Sequence, residues 1–367
     1  MELKELNEGF RDPKVIISFK KKIDKATKEL GLKPSIMEVC GGHTHVIAKY
    51  QLSTLLKDSI DFIHGPGCPV CVMPKERIDH AYTLAMQKDV ILVTLGDMIK
   101  VPGSQGTLAD ARAKGADVRF VYSPLECLNI ANKNQDKRVV FFAIGFETTT
   151  PMTASLLESL KKSEVNNLLF HINHVRVPEA IEAIISTDSK IDGFIGPSHV
   201  SVITGSKIYD FLPKKYKKPV AVSGFEPVDV LEGLLMIVEQ LKADKPKVEI
   251  QYSRSVNEHG NSKALELMDK YFEQRDFKWR GIGVIPKSAL KLKSEFAHLD
   301  AEVIYDDILP KKEIDDFKDC ICGEILKGLK KPNDCKLFAK ACTPKNPLGS
   351  CMVSSEGACA AYYKYLR

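Results

Sequence analysis

Six of the ten cysteines crowd into one stretch near the C-terminus, spaced as Cys320-x-Cys322 and then Cys335, Cys342, Cys351 and Cys359. Thiolates are soft ligands that suit zinc and iron–sulfur clusters. A structural zinc site is usually built from paired C-x₂₋₄-C knuckles, and this stretch has none. A 4Fe–4S cluster takes four thiolates, often from irregular loops, so the spacing favours a cluster and leaves two thiols over. The surplus pair has the chemistry of a thiol–disulfide couple that passes two electrons. A segment this short builds little core alone, and a bound cluster is expected to organise it.

Two further motifs lie near the N-terminus. Cys40-Gly41-Gly42-His43-Thr44-His45 places one soft and two borderline ligands at a predicted strand end. Its glycines permit a tight turn and close backbone approach by a ligand. His64-Gly65-Pro66-Gly67-Cys68-Pro69-Val70-Cys71 contains a C-x-x-C, a redox or metal-binding pair in an α/β setting, and a thiol at a helix start has a lowered pKa. Cys127 has no partner motif and reads as a buried core thiol. Glu147 and Glu226 each bring a carboxylate to a strand end, where catalysis and helix capping are equally open. His171, His174 and His199, with Ser198 and Ser201, also fall at predicted strand ends, and the sequence does not choose among them.

The elements that must position these residues are legible as alternating runs. Apolar Val15, Ile16, Ile17, Phe19, Ile23 and Ala26 recur near helical spacing and predict a helix from Pro13 to Leu30, punctuated by Gly31 and Pro34. The short runs Ile36–Val39, Asp61–Ile63, Val90–Leu95, Val118–Tyr122 and Val139–Ile144 read as parallel strands. Ile60–Pro66 resembles Ile191–Pro197, a weak internal repeat that predicts two similar halves with loops at matching strand ends. The expected class is α/β, with two similar α/β domains of mainly parallel sheets and a small cysteine-rich C-terminal iron–sulfur domain. The expected divisions are 1–34, a helix packing on the C-terminal domain; 35–130 and 131–235, the two α/β domains; 236–307, completing one of them; and 308–367, the iron–sulfur domain.

Composition sets the class of protein. Hydrophobic residues at 44% and charged residues at 28% are ordinary for a globular chain. A net charge of +5, from 53 basic and 48 acidic residues without a basic stripe, argues against nucleic acid. No apolar run approaches the roughly 18 residues of a membrane span, and the charged start Met1–Glu5 lacks a signal-peptide core. The expected location is cytoplasmic, where thiols stay reduced, so the cysteines read as metal-binding or redox-active.

CGGHTH from Cys40, GPGCPVC at Gly65–Cys71, GFETT at Gly145–Thr149, PSHVS at Pro197–Ser201, GFEP at Gly224–Pro227 and CKLF…CTP…CMVSSEGAC at Cys335–Cys359 occur in that order. Together they resemble the HypD-type NiFe-hydrogenase maturation proteins, from about residue 35 to the C-terminus. The resemblance implies a redox-active scaffold, rather than a conventional turnover enzyme, that assembles the Fe(CN)₂CO unit. A HypC-type chaperone would supply one cysteine to the iron and Cys40, by motif position, another. Cys68 and Cys71 would be nearby redox thiols, and a HypE-type partner would present a thiocyanate. His43, His45, Glu147 and Glu226 join them as candidate catalytic residues. The resemblance also implies a 4Fe–4S cluster on Cys320, Cys335, Cys342 and Cys359, with Cys322 and Cys351 as the adjacent pair, although Cys320 and Cys322 are both placed to serve. The alternatives are an iron–sulfur-dependent thiol–disulfide reductase working through Cys68 and Cys71, and a zinc-stabilised binding module.

Overall fold

The computed structural model describes residues 8–187, 190–314 and 317–366; the charged start Met1–Glu5 lies outside them. The described residues form the strands β1 (Ser35–Glu38), β2 (Asp61–His64), β3 (Val90–Leu95), β4 (Asp117–Val121), β5 (Arg138–Gly145), β6 (Leu168–His174), β7 (Gly193–Pro197), β8 (Val220–Ser223), β9 (Val248–Ile250), β10 (Phe272–Trp279) and β11 (Gly283–Leu292). The principal helices are α1 (Pro13–Leu30), α2 (Gly41–Lys49), α3 (Thr150–Lys161), α4 (Val177–Ile185), α5 (Pro227–Ala243) and α6 (Ala358–Tyr365).

The class is α/β with mainly parallel sheets, as expected. One parallel sheet runs β2-β1-β7-β8-β9 and a second runs β4-β3-β5-β6, with β10 and β11 forming an antiparallel hairpin. The chain does not divide between the sheets at residue 130. Residues 35–64 supply β1 and β2 of the first sheet, the chain then builds the whole second sheet, and it returns to the first with β7, β8 and β9. The repeat has a corresponding explanation. Ile60–Pro66 and Ile191–Pro197 contain β2 and β7, two strands of the same sheet, so the likeness reflects one local need, a buried strand ending in a Gly-Pro turn. Residues 236–307 serve both sheets: β9 extends the first, while β11 and the helix Ser262–Tyr271 pack on β6 and α3 of the second.

Burial follows the two-residue period of the strands. Met37, Phe194, Val220 and Val222 of the first sheet share one core with Leu92, Val140, Phe142 and Ile144 of the second. Their neighbours point outward, Ile36, Ile195 and Ala221 under α1 and α5, and Ile91, Val139, Phe141 and Ala143 under α3. Helix α1 begins at Pro13 after Asp12, whose side chain accepts the Lys14 N–H at 2.7 Å, and ends at Gly31 with φ 76°. Its Ile23 and Ala26 are buried with Val230, Leu231 and Leu234 of α5. It therefore packs on α5, not on the C-terminal segment. An amphipathic stripe says that a helix packs, not on what.

The C-terminal segment sits on the shared core, to which it contributes Cys322, Ile325, Cys342, Cys351, Met352 and Cys359. Among its described residues it carries short helices, including Cys322–Leu326 and α6, and no strand.

Candidate functional site

In a doubly wound sheet, ligands collect outside the carboxyl ends of two strands from which the chain departs in opposite directions. The first sheet has that point between β1 and β7, and the second between β3 and β5. Both open into one cleft of about 400 Å³. Cys40 follows β1 and His199 follows β7; Gly96 and Asp97 follow β3, and Gly145, Thr148 and Thr149 close β5. Ser354 and Glu356 of the C-terminal segment complete the wall, and the Ser354 hydroxyl donates to Asp97 Oδ2 at 2.8 Å.

Cys40 is the N-cap of α2, in extended conformation, and is half-buried. Burial pushes its thiol up to about 12, against the opposing pull of hydrogen bonds from the Gly42 and His43 backbone; Glu356 and Glu38 push the same way as burial. A cation binding there would displace a proton. The loop after β2 lies against this turn. Gly41 N donates to Gly67 O at 3.0 Å, and Gly65 N donates to Glu38 O at 2.8 Å. A side chain at Gly67 would meet the Cys40 backbone at 2.5 Å, so only glycine allows the approach.

The same loop brings in Cys68 and Cys71, joined as a disulfide. Both are buried, at the start of the short helix Pro69–Val72, while their neighbours Gly67, Pro69 and Val70 line the cleft. The C-terminal segment touches this pair as well: the Ser350 hydroxyl donates to Cys71 O at 2.7 Å.

A second, much smaller pocket is lined by Cys320, Cys322, Cys335, Cys342 and Cys359. The sulfurs of Cys320 and Cys322 are 3.2 Å apart. Gly349 makes room for them, since a Cβ there would lie 2.7 and 2.8 Å from the two sulfurs. Cys351 is fully buried and is not part of this lining. The Cys320 thiol is held high by its hydrogen bond to Cys322 and by burial. The Cys359 thiol is raised by the same neighbour first and burial second. Five soft donors around one small pocket suit a metal cluster and exceed what a single zinc ion takes.

A sequence profile of the family described as "HypD: Hydrogenase formation hypA family" matches residues 14–366. The chain belongs to the HypD family. It is similar to the hydrogenase maturation factor HypD2 of Bradyrhizobium diazoefficiens, 47% identical with 98% of this chain and 96% of that protein covered. It is likewise similar to hydrogenase maturation factor HypD of Cupriavidus necator, at 47% with 94% and 92% covered, and of Escherichia coli, at 45% with 90% and 88% covered.

Within this member of the family the residues singled out from sequence take different places. Cys40 and His199 face the cleft, and Cys68 and Cys71 lie beside it. His43 is fully buried, donating from Nε2 to Ser223 O at 3.1 Å and Gly224 O at 3.0 Å, so it ties α2 to the end of β8. Its ring packs on Phe225, as does that of His199. His45 meets Tyr365 of α6. Glu147 accepts the Val177 N–H at 3.0 Å at the start of α4, and burial raises its carboxyl to about 7. Glu226 forms a two-bond ion pair with Arg11 at 2.6 and 2.7 Å. His174 is a core residue bonded to Thr153, and Cys127 is fully buried.

Sequence reasoning passed over Glu38, Asp97 and Glu356, and of a buried ion cluster it singled out only His171. In that cluster Glu302 is held by both terminal nitrogens of Arg77 and by Arg275, while His171 and His80 are 3.1 Å apart. His80, His171 and Glu302 have the spacing of a metal site. The two guanidiniums already satisfy the carboxylate, and the imidazoles are committed to each other, to Pro310 O and to Asn173, so the cluster reads as a structural ion network. Among the described residues no helix is long and apolar enough to cross a membrane.

Proposed function

We propose that this chain, as a hydrogenase maturation factor of the HypD family, builds the Fe(CN)₂CO unit with Cys40 as a ligand to the cargo iron. The observation that carries the reading is the convergence of both switch points and Cys40 on one cleft, with the Cys68–Cys71 pair directly beside it. A HypC-type chaperone would provide a second thiolate to the iron, and a HypE-type partner would present a thiocyanate to the cleft. Thiolate ligation gives the electron-rich iron that cyanide and carbon monoxide require.

Releasing cyanide from a thiocyanate breaks a sulfur–carbon bond and consumes two electrons. The dithiol form of Cys68 and Cys71 supplies them: one thiocyanate and two thiols become one thiol, hydrogen cyanide and the Cys68–Cys71 disulfide, with all protons accounted for. The disulfide present here is the oxidised half of that couple. A 4Fe–4S cluster, held by Cys320, Cys335, Cys342 and Cys359, would supply low-potential electrons to restore the dithiol. Cys322 lines the same pocket as those four, and Cys351 lies in the short helical turn Ser350–Met352, next to Ser350, which bonds Cys71. That placement suits the two as thiols between the pocket and the cleft.

Anaerobic purification with iron and acid-labile sulfide analysis tests the pocket, with about four of each per chain expected. Infrared spectra of the chain co-expressed with HypC- and HypE-type partners test the cleft, with cyanide and carbonyl stretching bands expected. A full cluster without those bands under every partner combination would favour a thiol–disulfide reductase instead.

A further inference from the structure

Helix α6, which carries Cys359, docks on the Cys40 region through two matched tyrosine–histidine contacts. The Tyr362 hydroxyl lies 3.3 Å from His64 Nε2, with the rings at 87° and their centroids 5.4 Å apart. The Tyr365 hydroxyl lies 3.4 Å from His45 Nε2, also at 87°, with centroids 5.2 Å apart. Cys359, Tyr362 and Tyr365 recur every third residue, which keeps them near one face of the helix.

The first contact continues inward. His64 Nδ1 donates to Glu38 Oε1 at 2.6 Å, while Nε2 on the other side of the ring faces the Tyr362 hydroxyl. Glu38 is fully buried at the end of β1, directly after the buried apolar residues Ile36 and Met37. Its carboxylate also accepts the Thr44 hydroxyl and, on Oε2, the Cys40 backbone N–H at 3.0 Å. A buried carboxylate must be satisfied by such donors. Three of them fix its place, and through the last one they fix the Cys40 peptide.

We propose that Tyr362, acting through His64 and Glu38, is a positioning residue for Cys40, so that the helix bearing Cys359 sets how Cys40 is offered to the cleft. The consequence for cargo rests on the reading of Cys40 as an iron ligand; the positioning itself does not.

The test is the rate of Cys40 alkylation by iodoacetamide, followed by peptide mass spectrometry on the full-length chain under anaerobic conditions. Tyr362→Phe removes only the hydroxyl. His64→Asn keeps a donor towards Glu38 and drops the link to Tyr362. Because Cys40 is half-buried, releasing its turn opens it to reagent. Each variant should raise the rate about threefold to tenfold, the change that one hydrogen bond supports. Both break the same link, so the double variant should be no faster than the faster single one. Tyr365→Phe, outside the Glu38 chain, should leave the rate within about twofold. Should His64→Asn not fold, Thr44→Val, which removes a different donor to the same carboxylate, should also raise the rate, and an unchanged rate in it and in Tyr362→Phe overturns the proposal. Unchanged rates in Tyr362→Phe and His64→Asn, effects that multiply in the double variant, or an equal effect of Tyr365→Phe would each overturn the proposal. The infrared bands of the partner complex separate the two claims. If alkylation responds and the wild-type complex shows no bands, the positioning holds and the iron reading fails.

Discussion

Gly67→Ala is the smallest change that reaches the heart of the cleft. The added methyl would lie 2.5 Å from Cys40 N and 2.6 Å from its C and Cα. Carbon atoms settle at roughly 3.5–4.0 Å, so the loops after β1 and β2 would have to part by about 1 Å. The opposing atoms are backbone and cannot rotate aside. Overpacking of this kind costs about 1–3 kcal/mol. Parting the loops also weakens the bond from Gly41 N to Gly67 O, worth about 0.5–1.5 kcal/mol. The expected loss is about 2–4 kcal/mol of unfolding free energy, read from urea unfolding with an unchanged m-value. Gly96→Ala is the control, because its methyl would meet nothing within 4 Å on the same cleft. It should stay within about 1 kcal/mol of the parent. A Gly67→Ala chain as stable as Gly96→Ala would refute the claim that Gly67 is held against Cys40 by contact.

Other outcomes follow from the buried charges. Arg77→Met leaves Glu302 with Arg275 alone and should cost about 3–5 kcal/mol in urea unfolding, the range for breaking one side of a buried pair. Burial alone would raise the Glu302 carboxyl, but Arg77 overrides it and holds the group well below the usual range. Its contribution is therefore complete above the unfolded carboxylate value and is lost as pH falls from about 5 towards the lower native value; Glu302→Gln should flatten that acid limb. Glu147 has the opposite sign. Its native pKa, raised to about 7 by burial, means that stability declines as pH rises from about 4 to about 7, by up to about 3 kcal/mol. Glu147→Gln keeps an acceptor for the Val177 N–H and should remove that slope from unfolding curves measured across the same range.

Much of the fold is legible in the sequence because strands buried on both faces read as plain apolar runs. Helix α1 announces both of its ends through Asp12-Pro13 and Gly31. Pairing is different. Nothing in the run Ile36–Val39 says that β1 lies between β2 and β7, so the interleaving of the two sheets and the partner of α1 emerge only in three dimensions. Cys40 and C-x-x-C stand out because cysteine and glycine are costly to place idly at strand ends. Glu38 carries a signal of its own, a charge inside the apolar run Ile36–Val39 that demands buried partners. His43, His45 and Glu226 show the converse. Their motifs mark them as candidates, yet side-chain direction turns them to the end of β8, to Tyr365 and to Arg11. Nor does spacing tell which of six thiols share a pocket; the fold brings five together and leaves Cys351 in the neighbouring turn Ser350–Met352.

Infrared spectroscopy of the partner complex with Cys40→Ala in place of the parent chain tests the central proposal most directly. Cyanide and carbonyl bands seen with the parent should disappear in the variant, while iron and labile sulfide stay at the level of the C-terminal cysteine pocket. Full-intensity bands persisting without the Cys40 thiol would contradict it and move the cargo iron to another ligand.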